Sequence, residues 1–425
     1  MIIKKVKKVS GSIKVPGDKS ISHRSIMLGS LAKGTTSVIN FLKSSDCLST
    51  ISCFRSMGIE IEESENRILV HGKGLHGLSM PERALDCGNS GTTMRLLSGI
   101  LSPQHFESVL TGDSSLQKRP MKRIITPLSL MGASIKADTS EGTAPLFIKG
   151  STLHGISYDS PVSSAQVKSA ILLAGLYADG ITSVTEPSLS RNHTELMLKA
   201  FGGQLEASGN TATVHPANEL YGTEITVPGD ISSAVYFMAL GLLIPDSEIF
   251  IRNVGINPTR SSILPVLSRM GADITLMNCR REGFEPVCDI LCRSSSLHGT
   301  IIEGDAIPTM IDELPVIAML AAFAEGTTII RDAHELRVKE CDRISVMTEN
   351  LIRMGADVEE LEDGMIIHGG KPLHGSFTDP HGDHRIAMTF AVCAMACDGE
   401  TELSDPACVT ISYPEFFHDL SSLTR

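Results

Sequence analysis

A short pattern that ends a helix and begins a strand recurs along the 425-residue chain. In each copy an apolar stretch with helical spacing is followed by glycine, most often after methionine, and then by alternating apolar residues. Glycine is the usual residue just beyond a helix end, and the alternation is typical of a strand. The copies are Arg55–Ile61, Leu130–Ile135, Ala200–Leu205, Arg269–Ile274 and Arg353–Val358. This recurrence restricts the chain to a repetitive α/β fold.

A second helical segment, opened by small or acidic residues, precedes each copy of this pattern. These segments are Asp18–Leu31, Asn89–Gly99, Ser163–Leu176, Asp230–Leu243 and Asp312–Phe323, and a sixth, Ile386–Cys397, follows the opener 382–385. Turn-plus-strand sequences such as Gly34–Ile39 and Gly180–Thr185 come after them. We therefore predict six strand–helix–strand–helix–strand–strand units in which sheets cover the helices.

The sequence Val-Pro-Gly-Asp occurs twice, at 15–18 and at 227–230, and three units follow each copy. A chain of this length has room for two domains. If the chain crosses between domains at these two turns, one lobe comprises residues 18–228 and the other comprises 1–17 plus 229–425. We expect the active site in the cleft between the lobes, where closure on a ligand is common.

Composition limits the classes of partner. The formal net charge of −12 argues against a general nucleic-acid or membrane binder, and 4% aromatic residues without Trp leave little to stack on bases. Residues 1–8 are rich in lysine, but the apolar region of a signal peptide does not follow them. No apolar run reaches the roughly 18 residues of a membrane helix. We expect a cytoplasmic protein with neither nucleic-acid nor membrane partners.

The ten cysteines lack the paired spacing of a metal site. Two pairs, Cys288/Cys292 and Cys393/Cys397, are four residues apart. On a helix this spacing predicts neighbouring buried thiols rather than ligands, so we expect no metal there.

Ten residues near the start, Val15–Arg24, predict an anion site. A Pro-Gly turn ends a strand, and Asp18 is a good cap for the helix that follows. The first helical turn would present free backbone N–H groups and the positive end of its dipole beside the cations Lys19 and Arg24. The alternative is a capped helix with two solvated cations.

Further stretches of the first half combine small residues with cationic or amide side chains. They are Cys87–Arg95, Leu116–Met121, which places Arg119 before a proline, and Val162–Ala170. Glycine lets an anion approach the backbone closely, and serine and glutamine side chains can hold phosphate or hydroxyl groups. A single Arg or Lys is more often a solvated surface charge, but this concentration beside glycine-rich turns favours anion binding.

In the second half, carboxylates accompany the cations. Met310–Pro315 places Asp312 in an apolar setting, and Glu335–Arg343 packs acidic and basic side chains together. Asp312 could simply cap a helix, and the charged run could be a solvated face. The functional alternative is a carboxylate whose proton affinity is set by adjacent cations, as acid–base catalysis needs. Gly382–Met388 repeats the opening pattern, with Arg385 at a helix start.

Six ordered motifs together resemble the 5-enolpyruvylshikimate-3-phosphate synthase (3-phosphoshikimate 1-carboxyvinyltransferase) family. They are P-G-D-K-S-x-S-H-R, G-N-S-G-T-T-x-R, Q-K-R-P-M, S-A-Q-V-K-S-A, L-R-V-K-E-x-D-R and D-H-R-x-A-M, and the resemblance runs from Lys14 to Phe416. It implies the family's fold, a two-lobed inside-out α/β barrel of six βαβαββ repeats, three per lobe. It also implies transfer of the enolpyruvyl group of phosphoenolpyruvate to the 5-hydroxyl of shikimate 3-phosphate, with release of phosphate and without a metal or other cofactor.

The resemblance assigns roles to particular residues. Those expected to hold phosphoenolpyruvate are Lys19, Asn89, Gly91, Arg119, Gln166, Arg343 and Arg385. Those expected to hold shikimate 3-phosphate are Lys19, Ser20, Arg24, Ser164, Ala165, Gln166, Arg191, Asp312 and Lys339. Asp312 is expected to act as base at the 5-hydroxyl, Glu340 as the acid at the methylene carbon, and Lys19 as proton donor to the leaving phosphate. Which carboxylate acts in which half-reaction stays open.

The chain departs from the family pattern at Glu335, where many members have Asn, and at Ile411, where some have Lys.

The runner-up is the UDP-N-acetylglucosamine enolpyruvyl transferase family. Many of its members carry a reactive Cys in one loop, and the corresponding loop of this chain, residues 113–119, contains no Cys. An RNA-binding protein on a related fold would need a basic face and aromatics. A non-catalytic scaffold would not need Asp312 and Glu340 beside arginines. We expect a monomeric enzyme.

Overall fold

The computed structural model describes residues 1–424. The chain divides into two compact units, one formed by Met1–Pro16 together with the chain from Pro228 onwards, and the other by Gly17–Val227. The helices are α1 Lys19–Leu31, α2 Ser45–Ser56, α3 Gly91–Leu101, α4 Lys122–Leu130, α5 Ala165–Gly175, α6 His193–Ala200, α7 Ile231–Leu243, α8 Ile263–Arg269, α9 Ala306–Met310, α10 Leu314–Phe323, α11 Arg343–Arg353, α12 His384–Ala396 and α13 Phe416–Ser422.

The strands are short and evenly distributed along the chain. They are β1 Ile2–Lys4, β2 Ser10–Ile13, β3 Lys33–Ile39, β4 Glu60–Glu63, β5 Arg67–Lys73, β6 Leu85–Asp86, β7 Glu107–Thr111, β8 Ser134–Ala137, β9 Leu146–Lys149, β10 Ser157–Asp159, β11 Thr182–Thr185, β12 Leu205–Ser208, β13 Thr211–Val214, β14 Glu224–Thr226, β15 Glu248–Gly255, β16 Asp273–Glu282, β17 Glu285–Arg293, β18 Ile301–Ile302, β19 Thr327–Ile330, β20 Asp357–Glu360, β21 Met365–His368, β22 Phe377–Thr378 and β23 Glu400–Leu403.

The strands form six sheets with a common topology. In the order β6–β7–β9–β8, for example, β6 and β7 are parallel, and β9 pairs antiparallel with both β7 and β8. The helix α3 joins the parallel pair, and α4 joins β7 to β8. The sixth sheet, β22–β23–β1, has three strands, and β1 takes the position that β9 has in the example above, antiparallel to β23. The predicted fold class, an inside-out α/β arrangement of six βαβαββ repeats, is confirmed.

The first repeat of each unit takes its first strand from a distant part of the chain. In the unit Gly17–Val227, β14 at the end of the unit pairs in parallel with β3 near its start. In the other unit, β2 near the N-terminus pairs in parallel with β15. This pairing explains why residues 1–16 belong with the C-terminal half of the chain.

The first helix of each repeat is buried on nearly all sides. The sequence of α10, L-P-V-I-A-M-L-A-A-F, is apolar all round, which is typical of a core helix. The helices α7, α10 and α12 contact one another in one unit, and α3 contacts both α1 and α5 in the other. The sheets therefore cover the helices, as the sequence predicted.

The cysteine prediction was wrong for one pair. Cys288 and Cys292 lie on strand β17 rather than on a helix, and both are buried because residues four apart also share one face of a strand. Cys288 forms a disulfide with Cys279 across the β16–β17 hairpin. The other pair is confirmed, since the sulfur atoms of Cys393 and Cys397 lie 3.8 Å apart and are buried.

Two kinds of feature are absent from residues 1–424. In that range no helix is long and apolar enough to cross a membrane. The same range contains no group of three or more His, Cys, Asp or Glu side chains placed to hold a metal ion.

A Leu-His-Gly or Leu-Tyr-Gly sequence precedes the first strand in five repeats, at 75–77 and at four later positions, and was not used in the sequence-based prediction. The glycines of the four later copies are Gly155, Gly222, Gly299 and Gly375. A Cβ on any of them would lie 2.2–2.5 Å from a backbone atom of the segment that begins the second strand. Only glycine permits this close approach of two backbones.

We expect Gly155→Ala to lower the free energy of unfolding by about 1–3 kcal/mol, as overpacking does. Its Cβ would lie 2.5 Å from the carbonyl carbon of Gly180. Gly180→Ala is the matched control, because its Cβ would meet nothing closer than 3.8 Å; its effect should stay within about 0.5 kcal/mol. Urea unfolding measures both, and wild-type stability of Gly155→Ala would contradict the close approach.

Candidate active-site clusters

Several buried helices begin at side chains that cap them. The caps are Asp18 on α1, Ser90 on α3, Ser164 on α5, Asp342 on α11 and Asp383 on α12, each accepting a backbone N–H of the first turn. Each cap satisfies one donor, while the remaining N–H groups and the positive end of the helix dipole favour anions. The predicted site residues lie at these helix starts or in the loops beside them.

At the start of α1, two cations are held by internal partners. The Lys19 Nζ lies 3.1 Å from an Asp46 carboxylate oxygen. The Arg24 guanidinium donates to the Thr194 hydroxyl at 2.6 Å, the Ser169 hydroxyl at 2.7 Å and the Ser20 carbonyl oxygen at 3.0 Å. Burial lowers the pKa of Arg24 to about 10, and Glu195 opposes that shift, so the side chain stays charged at neutral pH.

A chain of buried side chains links α1 to α3. The His23 Nδ1 and the Thr50 hydroxyl are 2.7 Å apart, and the Thr50 and Thr93 hydroxyls are also 2.7 Å apart. The Thr93 hydroxyl donates to the Ser90 cap at 2.8 Å. Burial, and to a smaller extent the charges of nearby cations, lowers the pKa of His23 well below its usual range, so its imidazole is neutral. The two helix starts are therefore held in a fixed relation.

Two arginines approach the start of α3. The Arg119 Nη2 donates to the Asn89 Oδ1 at 2.7 Å, and the Arg95 Nη1 donates to the Gln166 Oε1. A Cβ on Gly91 would lie 3.1 Å from the Arg95 Nη1 and 3.4 Å from the Arg119 Nη1. The absence of a side chain at Gly91 thus leaves room beside two guanidinium groups. The structure brings together Asn89, Gly91, Arg119 and Gln166, all predicted to hold phosphoenolpyruvate.

The start of α5 and the loop before α6 form a third part of this cluster. Ser164 is the cap of α5, and Ala165 and Gln166 are its first two residues. Burial is the main cause of the lowered pKa of Arg24, and the positive charge of Arg191 adds to it. The two cations therefore lie close enough to interact electrostatically. Seven of the nine residues predicted to hold shikimate 3-phosphate therefore lie in the unit Gly17–Val227, whereas Asp312 and Lys339 lie in the other unit.

In the other unit, Arg343 is the centre of a second cluster. Its side chain is 1% exposed, and its nitrogens contact Asp383 at 2.7 Å, Glu340 at 2.6 Å and Asp312 at 3.3 Å. Burial alone would lower the pKa of Arg343, but the three carboxylates raise it well above its ordinary value. Arg343 is therefore a permanent cation that orients two predicted acid–base residues.

Asp312 and Lys339 complete this second cluster. The Asp312 Oδ1 lies 3.4 Å from the Arg385 Nε. Burial lowers the pKa of Lys339, although the charges of Asp312 and Glu335 oppose the shift. The alternative that Asp312 caps a helix was wrong, because α10 begins at Leu314 and Asp312 instead pairs with two arginines.

Three residues of the clusters were missed from the sequence. Arg95 lies four residues after Gly91 on one helix, so that spacing was an available signal. Asp383 was noticed as a helix opener but not as the partner of Arg343. Asp46 comes from α2 and pairs with Lys19 only through the tertiary fold, so no local pattern indicates it.

Comparison with known proteins gives consistent results. The family model for EPSP synthase (3-phosphoshikimate 1-carboxyvinyltransferase) matches residues 3–420. The chain is 51% identical over 421 residues to the 3-phosphoshikimate 1-carboxyvinyltransferase of Bacillus cytotoxicus, covering 99% of each. It is 54% identical over 409 residues to that of Pelobacter propionicus, covering 96% of this chain and 95% of the relative.

Solved structures show the same fold. EPSP synthase from Acinetobacter baumannii superimposes with a TM-score of 0.88 at 47% identity, covering 100% of this chain and 97% of the other. The enolpyruvyl transferase NikO from Streptomyces tendae gives a TM-score of 0.79 at 18% identity, over 99% of this chain and 96% of the other. The fold is that of the enolpyruvyl transferases. Within this class, the chain belongs to the EPSP synthase (3-phosphoshikimate 1-carboxyvinyltransferase) family.

The lowered pKa of Lys339 predicts a pH dependence for substrate binding. As the pH rises through this pKa, which lies below the ordinary value for lysine, Lys339 loses the charge expected to attract phosphate. The kcat/KM for shikimate 3-phosphate, which reports groups of the free enzyme, should therefore fall on the alkaline side. Lys339→Arg should move that fall to higher pH, because Arg stays protonated. An identical alkaline limb in both proteins would contradict a role for Lys339.

Proposed function

We propose that this chain transfers the enolpyruvyl group of phosphoenolpyruvate to the 5-hydroxyl of shikimate 3-phosphate and releases inorganic phosphate. The reaction belongs to the shikimate pathway, which supplies chorismate and the aromatic amino acids. The observation that carries the proposal is membership of the family over residues 3–420, with relatives above 50% identity that bear this activity as their name.

Two anionic substrates account for the distribution of charges. Phosphoenolpyruvate carries a carboxylate and a phosphate, and Lys19, Arg119, Arg343 and Arg385 supply cations for them. Shikimate 3-phosphate would be held by Arg24, Arg191 and Lys339 at its anionic groups, and by Ser20, Ser164, Ala165 and Gln166 through hydrogen bonds. Asn89 and Gly91 would contact phosphoenolpyruvate. Because arginine binds phosphate and carboxylate in a bidentate way, these residue types suit the ligands.

The chemistry requires deprotonation of the 5-hydroxyl and protonation of the methylene carbon, and the second transfer is reversed on elimination. In the addition step, the 5-oxygen attacks the enol carbon, Asp312 takes the hydroxyl proton, and Glu340 gives a proton to the methylene carbon. The product is a tetrahedral ketal that still carries phosphate. In the elimination step, Glu340 takes a proton back from the methyl carbon, the bond to phosphate breaks, and Lys19 protonates the leaving group. Asp312 then releases its proton to solvent and Lys19 regains one from solvent, which restores both groups for the next turnover.

The contacts of the carboxylates support these roles. Glu340 lies 2.6 Å and Asp312 lies 3.3 Å from Arg343 nitrogens, so one buried cation orients both groups. A cation fixed before the reaction stabilises developing negative charge without a reorganisation cost. Lys19 is held by Asp46 at 3.1 Å, which keeps its ammonium group at the start of α1.

We also propose that the enzyme is monomeric and cytoplasmic, and that it has no nucleic-acid or membrane partner. The net charge of −12 supports the last point, because phosphate backbones and anionic lipid surfaces repel an acidic protein. The runner-up activity, transfer to UDP-N-acetylglucosamine, is not retained, because the matched family and the relatives of about half-identical sequence name the shikimate substrate.

We predict phosphate release only when phosphoenolpyruvate and shikimate 3-phosphate are both present. Lys19→Met and Asp312→Ala should each lower kcat by at least about 100-fold, as loss of an acid–base group does. Lys33→Met is the matched control for Lys19→Met, because the Lys33 side chain is 57% exposed and pairs with Glu219. Far-UV circular dichroism confirms that the variants fold.

Two outcomes would contradict the proposal. Turnover of UDP-N-acetylglucosamine without turnover of shikimate 3-phosphate would overturn the substrate assignment. Wild-type kcat in Lys19→Met or Asp312→Ala would remove the role of that residue while leaving the substrate assignment intact.

A further inference from the structure

The unit Gly17–Val227 buries one lysine almost completely. The Lys168 side chain on α5 is 1% exposed, and its Nζ lies 2.8 Å from a carboxylate oxygen of Glu186 and 2.8 Å from one of Glu195. The same Nζ donates to the Ser190 carbonyl oxygen at 3.3 Å. A buried ammonium group needs such partners, because its desolvation cost is otherwise uncompensated. The mechanism proposed above uses none of these side chains.

Glu186 connects this ion group to the start of α5. Its Oε1 accepts the backbone N–H of Ser164 at 2.8 Å. Its oxygens also accept the Ser190 hydroxyl at 2.6 Å and 2.8 Å, and the Ser190 backbone N–H at 3.3 Å. A separate bond, from the Ser188 N–H to the Ser163 hydroxyl at 2.9 Å, joins the same two segments. One carboxylate thus binds the helix start to the loop 186–190.

An ionised carboxylate suits this position better than an amide. The donors that the two Glu186 oxygens face include two backbone N–H groups, one hydroxyl and the Lys168 ammonium. An ionised carboxylate accepts at both oxygens, whereas glutamine would turn an NH2 group toward some of these donors. Lys168 supplies the countercharge for the buried Glu186 carboxylate.

Both segments that Glu186 joins carry residues proposed to bind shikimate 3-phosphate. Ser164 caps α5, and Arg191 follows Ser190 directly in the chain. We infer that Glu186, held by Lys168, is a positioning residue that fixes Ser164 relative to Arg191 and so sets the affinity for shikimate 3-phosphate. This inference rests on the proposed function, which supplies the ligand. Glu186 itself does not touch the substrate.

Glu195 provides a matched control. It contacts the same Lys168 nitrogen at the same distance of 2.8 Å, and its side chain is also buried, at 5% exposure. It approaches from α6, whereas the bonds to Ser164 and Ser190 are made by Glu186. Loss of a buried ion pair is therefore common to Glu186→Gln and Glu195→Gln. Glu195→Gln also removes a negative charge near Arg24, but the hydroxyl partners of Arg24 remain. Loss of the bonds to Ser164 and Ser190 is specific to Glu186→Gln.

Calorimetric titration with shikimate 3-phosphate tests the inference on the full chain. Glu186→Gln should weaken binding roughly tenfold or more, because it disturbs several charge-assisted hydrogen bonds. Glu195→Gln should weaken it less than about threefold, and KM for phosphoenolpyruvate should change less than about twofold in either variant. Ser190→Ala removes one hydroxyl donor to Glu186 and should weaken binding about threefold. This variant tests the inference if Glu186→Gln does not fold.

The outcomes separate the two proposals. Equal losses in Glu186→Gln and Glu195→Gln would overturn the positioning role, as would wild-type affinity in Glu186→Gln or, if that variant does not fold, in Ser190→Ala. A parallel rise in KM for phosphoenolpyruvate would also overturn it, because general damage to the fold would affect both substrates. If the wild-type protein binds shikimate 3-phosphate but releases no phosphate from the two substrates, the proposed function fails instead.

Discussion

A guanidinium group with almost no contact with water must be matched by carboxylates, and Arg343 is matched by three. Leaving a buried cation without its partner costs about 3–5 kcal/mol, so the positions of Asp312, Glu340 and Asp383 depend on one another. Asp383 also caps α12 through the Arg385 N–H. One carboxylate therefore sets both the start of the helix that carries Arg385 and the orientation of Arg343, which in turn orients the two residues proposed for acid–base chemistry.

The unit Gly17–Val227 uses the same physical device with different residues. Lys19 is held by Asp46, Arg24 by two hydroxyls and a carbonyl, and Lys168 by two carboxylates. Each cation is thus fixed before any substrate arrives, which reduces the entropy that binding would otherwise lose. The repeat fold supplies the frame, because the first helix of five of the six repeats begins at a side-chain cap, and a helix start favours an anion.

Much of the fold could be predicted because its signals are local. Capping residues and glycines after helix ends located the helices to within a few residues, as at α1, where the predicted segment Asp18–Leu31 became Lys19–Leu31 with Asp18 as its cap. Cys288 was misplaced because a four-residue spacing is compatible with both a helix and one face of a strand. Glycines such as Gly155 were missed because their requirement is a tertiary contact with Gly180.

The clusters were partly predictable for the same reason. Motifs at helix starts predicted Arg343, Arg385 and Asp312 as site residues. Asp46 and Glu186 were not predicted, because each acts through an ion pair with a lysine on another element. A single sequence contains no signal for such pairs, since a buried carboxylate and a surface carboxylate look alike until the fold joins them to a cation.

Reversible protonation of the phosphoenolpyruvate methylene carbon is the central requirement of the chemistry assigned to this chain. Proton and deuterium NMR in deuterium oxide tests it most directly. With shikimate 3-phosphate present, we predict that deuterium enters the methylene group of the enolpyruvyl product and of the remaining phosphoenolpyruvate, because the methyl group of the ketal loses either isotope on elimination. A product free of deuterium, or exchange that requires UDP-N-acetylglucosamine in place of shikimate 3-phosphate, would contradict the assignment.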